Sequence, residues 1–172
     1  MLIRQLKENT IELVDIEPIE AELLRQVPSV CDSGGDSRSE ARLFSSPASS
    51  TEGQFLNDWT EYVQPGLRHL FLSARTTVKE DLEKLPELKG HRGRLVVPRT
   101  HCDAWLNALN QARLILAAKY EFSEAELSAL ESPKTFSQRE LVLHQINFYA
   151  AIQERIIEIL GTGDAKEPGD AD

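Results

Sequence analysis

Leu95-Val96-Val97-Pro98 leads through Arg99 into Thr100-His101-Cys102-Asp103-Ala104-Trp105-Leu106-Asn107-Ala108-Leu109-Asn110-Gln111-Ala112-Arg113-Leu114, a pattern that carries on to Tyr120. The short apolar run reads as a strand. The longer stretch reads as a helix that is apolar on most of its circumference. A helix of that kind has to be covered on several sides, so it is expected to be the central element of the fold. Asn110 and Arg113 sit inside it, and buried polar groups are costly unless partnered.

Working outward, Leu2 to Leu6 and Thr10 to Val14 alternate around a polar turn, which predicts a hairpin with one covered face. Pro18 opens a helix with Ile19, Leu23, Leu24 and Val27 at helical spacing, and Pro28 is expected to end it. Residues 32–50, rich in Ser, Gly and Asp, read as a mobile loop anchored at Leu43-Phe44. Phe55, Leu56, Trp59, Tyr62 and Val63 share a helical face. Beyond Pro65-Gly66 the same period resumes to Leu85, giving either two helices or one kinked at Pro65. Thr100 is the expected N-cap of the central helix. Ser123 caps a short helix over 124–130, and Ser137 caps a last one. That last helix carries the stripe Val142, Ile146, Tyr149, Ile152, Ile156, Leu160 and ends at Gly161. The expected class is therefore α+β and predominantly α: a helical bundle around one buried helix, with a small antiparallel sheet. One globular domain is expected over 1–160, followed by a disordered acidic tail over 161–172.

The chain has 172 residues, 41% hydrophobic and 27% charged, with a net charge of −9. This is enough to bury a real core. The acidic balance argues against gripping nucleic-acid phosphates or an anionic membrane surface, both of which need clustered Lys and Arg. Only Cys31 and Cys102 are present, too few for a disulfide framework, and a reduced cytoplasmic setting is the plain expectation. Met1-Leu2-Ile3-Arg4-Gln5 lacks the apolar run of a signal peptide, and no apolar segment approaches the roughly 20 residues of a membrane span.

Trp105-Leu106, Leu109-Asn110 and Arg113-Leu114, together with Tyr149, Ile152 and Gln153-Glu154 in the last helix, resemble an uncharacterised bacterial family of mostly helical proteins, a domain of unknown function. Genes of that family often neighbour that of the adaptor of the Clp protease. The resemblance implies a link to protein turnover and supplies no catalytic residues.

The best chemical candidate is the strand-to-helix junction. Helix N-termini present free N–H groups and a positive dipole end, and Arg99 with the Thr100 hydroxyl would add to an anion site there. A first-turn thiol, Cys102, is a conceivable nucleophile. Thr caps and first-turn Asp residues equally serve stability alone. His69, His91, His101 and His144 show no metal-ligand spacing with Cys102 or Asp103, so no metal and no cofactor is expected. Asn110 and Arg113 share a helical face, and Gln153-Glu154 would complete a polar network between two helices. Lys89, His91, Arg92, Arg94 and Arg99 form one basic stretch without interleaved aromatics, which does not suit nucleic acid. Walker, dinucleotide and nucleophile-elbow motifs are absent.

The leading expectation is a non-enzymatic cytoplasmic interaction or accessory protein with a protein partner, linked to regulated proteolysis. The alternative is a small-anion-binding protein or enzyme with its site at Arg99, Thr100 and Cys102, assisted by Arg113. Oligomeric state is not legible.

Overall fold

The computed structural model describes residues 1–7, 9–46, 53–128 and 137–163. Its sheet has three antiparallel strands, β1 (Leu2–Lys7), β2 (Thr10–Ile16) and β3 (Gly93–Pro98), in the order β1-β2-β3. The register places Ile3 opposite Leu13 and Leu13 opposite Leu95, while Ile11 faces Val97. All five are buried, forming the inner face of the sheet. The period-2 alternation that predicts a half-covered hairpin is thus realised.

On the other face Glu12 is only 1% exposed, because it lies beneath two arginines. Arg4 Nε donates to Glu12 Oε2 at 2.9 Å, and Arg94 Nε donates to Oε1. The Arg4 hydrogen bond above all, joined by Arg94 and opposed by burial, holds the Glu12 carboxyl below its ordinary value.

Among the described residues the helices are α1 (Pro18–Val30), α2 (Ser37–Leu43), α3 (Gly53–Asp58), α4 (Gln64–Leu82), α5 (Cys102–Lys119), α6 (Glu124–Ser128) and α7 (Gln138–Gly163). A π turn, Trp59–Val63, joins α3 to α4, and a 3₁₀ turn, Arg99–His101, leads into α5. The protein is mostly helical with one small sheet. α5 packs on α1, α2, α4 and α7, which makes it the centre of the bundle. Trp105, Ala108, Leu109 and Ala112 have no exposed surface, and they meet Tyr149, Ile152 and Ile156 of α7 in one core. Tyr149 brings its hydroxyl inside with partners: it donates to Leu23 O at 2.7 Å and accepts from Gln145 Nε2 at 2.7 Å.

Several local expectations are corrected. Pro28 does not end α1, which runs to Val30. A proline this near the end removes one intrahelical bond, and buried Val27 and Cys31 on either side hold the turn. Residues 32–50 are not loop throughout: within 32–46 the chain forms α2. Asp36 caps it by accepting from Ser39 N at 2.9 Å, and Phe44 is buried against Phe71 with ring centroids 5.6 Å apart. Residues 47–50 lie outside the described ones. Between Gly53 and Leu82 the irregularity comes before Pro65, as the π turn. There Gln64 N–H reaches Trp59 O, five residues back, and Pro65 follows in the first turn of α4, where its missing donor costs nothing.

Thr100 does not cap α5. It falls inside the 3₁₀ turn, so His101 takes the cap position without a side-chain bond. Ser123 and Ser137 cap as expected, each in a reciprocal pair with a Glu three residues on (Glu126 and Glu140). α6 is described to Ser128, and residues 129–136 lie outside the described ones. Gly161 does not end α7, which continues to Gly163. Residues 164–172, where most of the expected acidic tail falls, also lie outside the described ones. No helix among the described residues is long and apolar enough to cross a membrane.

Among the described residues α3 and the π turn pack appreciably only on each other and on α4. They form an arm of roughly 16 Å, at 1.5 Å per residue. The arm exposes Phe55 (43%), Tyr62 (70%) and Val63.

Candidate functional site

The junction before α5 does not bring its expected site residues together. Arg99 Nη2 donates to Leu160 O at 3.3 Å, which ties the guanidinium to the last turns of α7. Thr100 is exposed. The Cys102 thiol points inward, 1% exposed, with Sγ 4.0 Å from Pro98 O. Burial raises its pKa, and the neighbouring Arg99 offsets this only in part. A buried thiol of raised pKa is a poor nucleophile, whatever the helix dipole contributes. Cys31 is likewise buried, pushed up to about 12 by burial, and both thiols are free. Among the described residues no group of three or more His, Cys, Asp and Glu side chains is placed to hold a metal.

What the junction does build is a cluster that includes Asp81, on the buried stripe of α4. Asp81 is fully buried and takes three donors. Trp105 Nε1 donates to Oδ2 at 3.1 Å and His101 Nδ1 to Oδ2 at 2.9 Å, while Lys84 Nζ reaches Oδ1 at 2.7 Å. Burial, the largest single influence, pushes the Asp81 carboxyl up. Lys84, His101 and Trp105 together outweigh it and hold the group below its ordinary value. With Nδ1–H on the carboxylate, His101 keeps Nε2 as its acceptor, the tautomer suited to a base or a ligand. The cluster fastens the end of α4 to the start of α5. It was findable: Asp81 stands three residues after Val78 and next to Leu82, a charge inside an apolar stripe.

The expected network of Asn110, Arg113, Gln153 and Glu154 forms only in part. Arg113 Nη1 donates to Gln153 Oε1 at 2.6 Å, and Gln153 Nε2 donates to Leu106 O at 2.9 Å. Asn110 and Glu154 are exposed and take no part. Among the described residues Arg113 therefore has an amide partner and no carboxylate. Its Nε is buried without a hydrogen bond, and burial lowers the guanidinium pKa. Arg113→Leu strands only a neutral amide oxygen and relieves an unpaired donor. We expect it to shift the unfolding free energy by less than about 1.5 kcal/mol in a urea titration. A loss of about 3 kcal/mol or more would reveal a buried charge partner.

The buried polar residue of α5 is Gln111, one position on from Asn110. It is 2% exposed, and its Nε2 is shut from water with no hydrogen-bond partner. Spacing explains why: Gln111 lies three residues after buried Ala108 and four before buried Ile115, whereas Asn110 is turned about 100° away from it. Gln111 lines a cavity of about 240 Å³ beside the turn that follows α1. Arg68 and Arg75 of α4 line it too, with Asp32, Ser33 and Glu40. Arg75 Nη1 lies 3.1 Å from Asp32 Oδ2, and Arg68 Nη2 donates to Glu40 Oε2 at 2.7 Å. Across the Asp32–Arg75 pair a larger cleft of about 610 Å³ runs between α1 and α4, floored by Pro28, Leu82 and Leu85. Its Arg25 is spent on Leu85 O and Pro86 O, at 3.3 and 2.8 Å. The basic stretch is also largely answered from within: Arg92 lies 3.8 Å from Asp15 and 3.9 Å from Glu17, and Arg94 is on Glu12.

Compared with known proteins, residues 1–160 match one family model, described as a domain of unknown function (DUF2017). No curated protein and no solved structure matches the chain.

Proposed function

We propose, for a chain that belongs to the DUF2017 family, that it works as a non-enzymatic accessory protein of the cytoplasm, docking on another protein through its helical arm. One observation carries this reading: Phe55, Tyr62 and Val63 are exposed on a segment that, among the described residues, packs appreciably only on the helix it continues into. An ordered helix that leaves aromatic surface in water has the form of an element laid into a partner's groove. The π turn that joins it to α4 is a further mark, since such turns concentrate at functional positions.

Charge selects the occupant. Between Gly53 and Val63 the arm carries Asp58 and Glu61 and no Lys or Arg, on a chain of net charge −9. Two such arms side by side repel, so the complement is a different protein with an apolar groove rimmed by basic side chains. The family resemblance makes the machinery of regulated proteolysis the first place to look for it. The alternative, an anion site at Arg99, Thr100 and Cys102, lacks support from the geometry, because the three side chains diverge.

A photo-crosslinking residue in place of Tyr62, in the native host, tests the proposal, with the same residue at Glu124 as the control. The expected result is one defined heterologous adduct from position 62, absent from position 124. Phe55→Glu should abolish it without moving the melting curve. Identical bands from both positions, no adduct, or only a crosslink to a second copy of this chain would each overturn the reading.

A further inference from the structure

We infer that the cavity lined by Gln111, Arg68 and Arg75 is a binding site for a small oxyanion, a carboxylate or phosphate group. The primary observation is the Gln111 amide, almost wholly buried, lining this cavity, with a donor that no protein acceptor meets. Buried amides are nearly always hydrogen-bonded, and one left without a partner is costly. The amide can turn end for end about its last bond, so it can present its N–H₂ to whatever occupies the cavity.

The remaining lining says what that occupant is. Two arginines, a serine and the Gln111 amide, which presents its donor once turned end for end, line one space that suits an acceptor-rich anion. The two carboxylates present do not fill this role equally. Glu40 is engaged twice, accepting from Ser33 Oγ at 2.5 Å as well as from Arg68, and those two donors, Ser33 first, hold it ionised below its ordinary pKa. Asp32 is 62% exposed, so its pair with Arg75 sits in water and is weak. An entering oxyanion takes the place of Asp32 on Arg75 and accepts from Gln111 at its second oxygen, while Asp32 turns out to solvent. The cavity of about 240 Å³ has room for a small group such as a short carboxylic acid or inorganic phosphate. The site uses none of the arm's residues and stands independently of the docking proposal.

Titration of the full chain with acetate, succinate and inorganic phosphate at constant ionic strength, chloride being the balancing ion, is the test. The readouts are the Gln111 side-chain amide resonances and the melting temperature. The expected result is a saturable shift of those resonances for at least one oxyanion, and a melting temperature that rises with its concentration while chloride has no such effect. The probe that saturates identifies the class, carboxylate or phosphate. Gln111→Met keeps the side-chain length and, read by the melting temperature, is expected to raise the oxyanion concentration needed for the response at least about tenfold. Arg75→Gln, partly exposed and therefore tolerable to the fold, is expected to do the same. Shifts that stay linear for every probe or equal those of chloride, or a rise in melting temperature that persists unchanged in both variants, would overturn the assignment and leave water as the cavity's occupant.

Discussion

Trp105→Ala is expected to cost about 3–5 kcal/mol, a large part of the roughly 5–15 kcal/mol that holds a domain of this kind together. Trp105 is wholly buried in the helix that touches four others, so its loss opens a cavity that no single neighbour can close. It also withdraws the indole N–H from Asp81, the one of that carboxylate's three donors that water cannot replace. Trp105→Phe separates the two effects. It keeps most of the ring volume and loses the hydrogen bond, and is expected to cost about 1–3 kcal/mol. Urea unfolding followed by circular dichroism measures both. Equal losses in the two variants would show that packing contributes little, contrary to the place given to this side chain.

Asp81→Asn is expected to destabilise by about 2–3 kcal/mol at neutral pH, since a neutral amide placed against Trp105, His101 and Lys84 turns a fully accepting group into one that must donate. The pH profile carries the distinguishing sign. The Asp81 carboxyl lies below its ordinary value of 3.8 in the folded protein. A group whose folded pKa is depressed binds its proton less readily when folded. Its contribution is therefore complete above the unfolded value and is lost as pH falls through the folded one. Wild type should lose stability progressively below about pH 4, and Asp81→Asn should lack that part of the decline. Profiles that run parallel from neutrality down into this acid range would show that Asp81 is not ionised in the native state.

Much of the fold can be read locally, and the failures share one cause. The hairpin, β3, the α5 and α7 stripes and the Ser123 and Ser137 caps each depend on residues within one or two turns of each other, and these are legible. Pro28, Thr100 and Gly161 also carry strong local signals, yet in each case packing or the geometry of the next turn overrode the signal. α2 has almost no apolar stripe. It is held by the Asp36 cap and by Phe44, so composition alone reads it as loop. The buried polar group of α5 lies one residue from the expected Asn110, and the period that separates it from Gln111 is already present in Ala108, Ala112 and Ile115. Asp81 was legible as a charge within an apolar stripe, but its donors come from separate parts of the chain. Arg75 and Asp32 meet only because α1 and α4 are neighbours in space, and no spacing along the chain records that.

The order of the sheet has a kinetic consequence. β1 and β2 are separated by two residues of sequence and can pair as soon as both exist, but the other edge of β2 waits for β3, whose Pro98 lies opposite Thr10. The C-terminal helix arrives later still: Arg155 Nε donates to Ile3 O, across 152 positions of chain. During synthesis the hairpin therefore leaves the ribosome with an apolar face and an unpaired edge, and neither is covered until most of the chain has followed. Contacts so distant in sequence slow folding and lengthen the time in which strand edges can find the wrong partner. The Arg4–Glu12 pair, formed within the hairpin itself, puts charge on the open strand throughout that interval, the kind of guard that keeps nascent edges from joining one another.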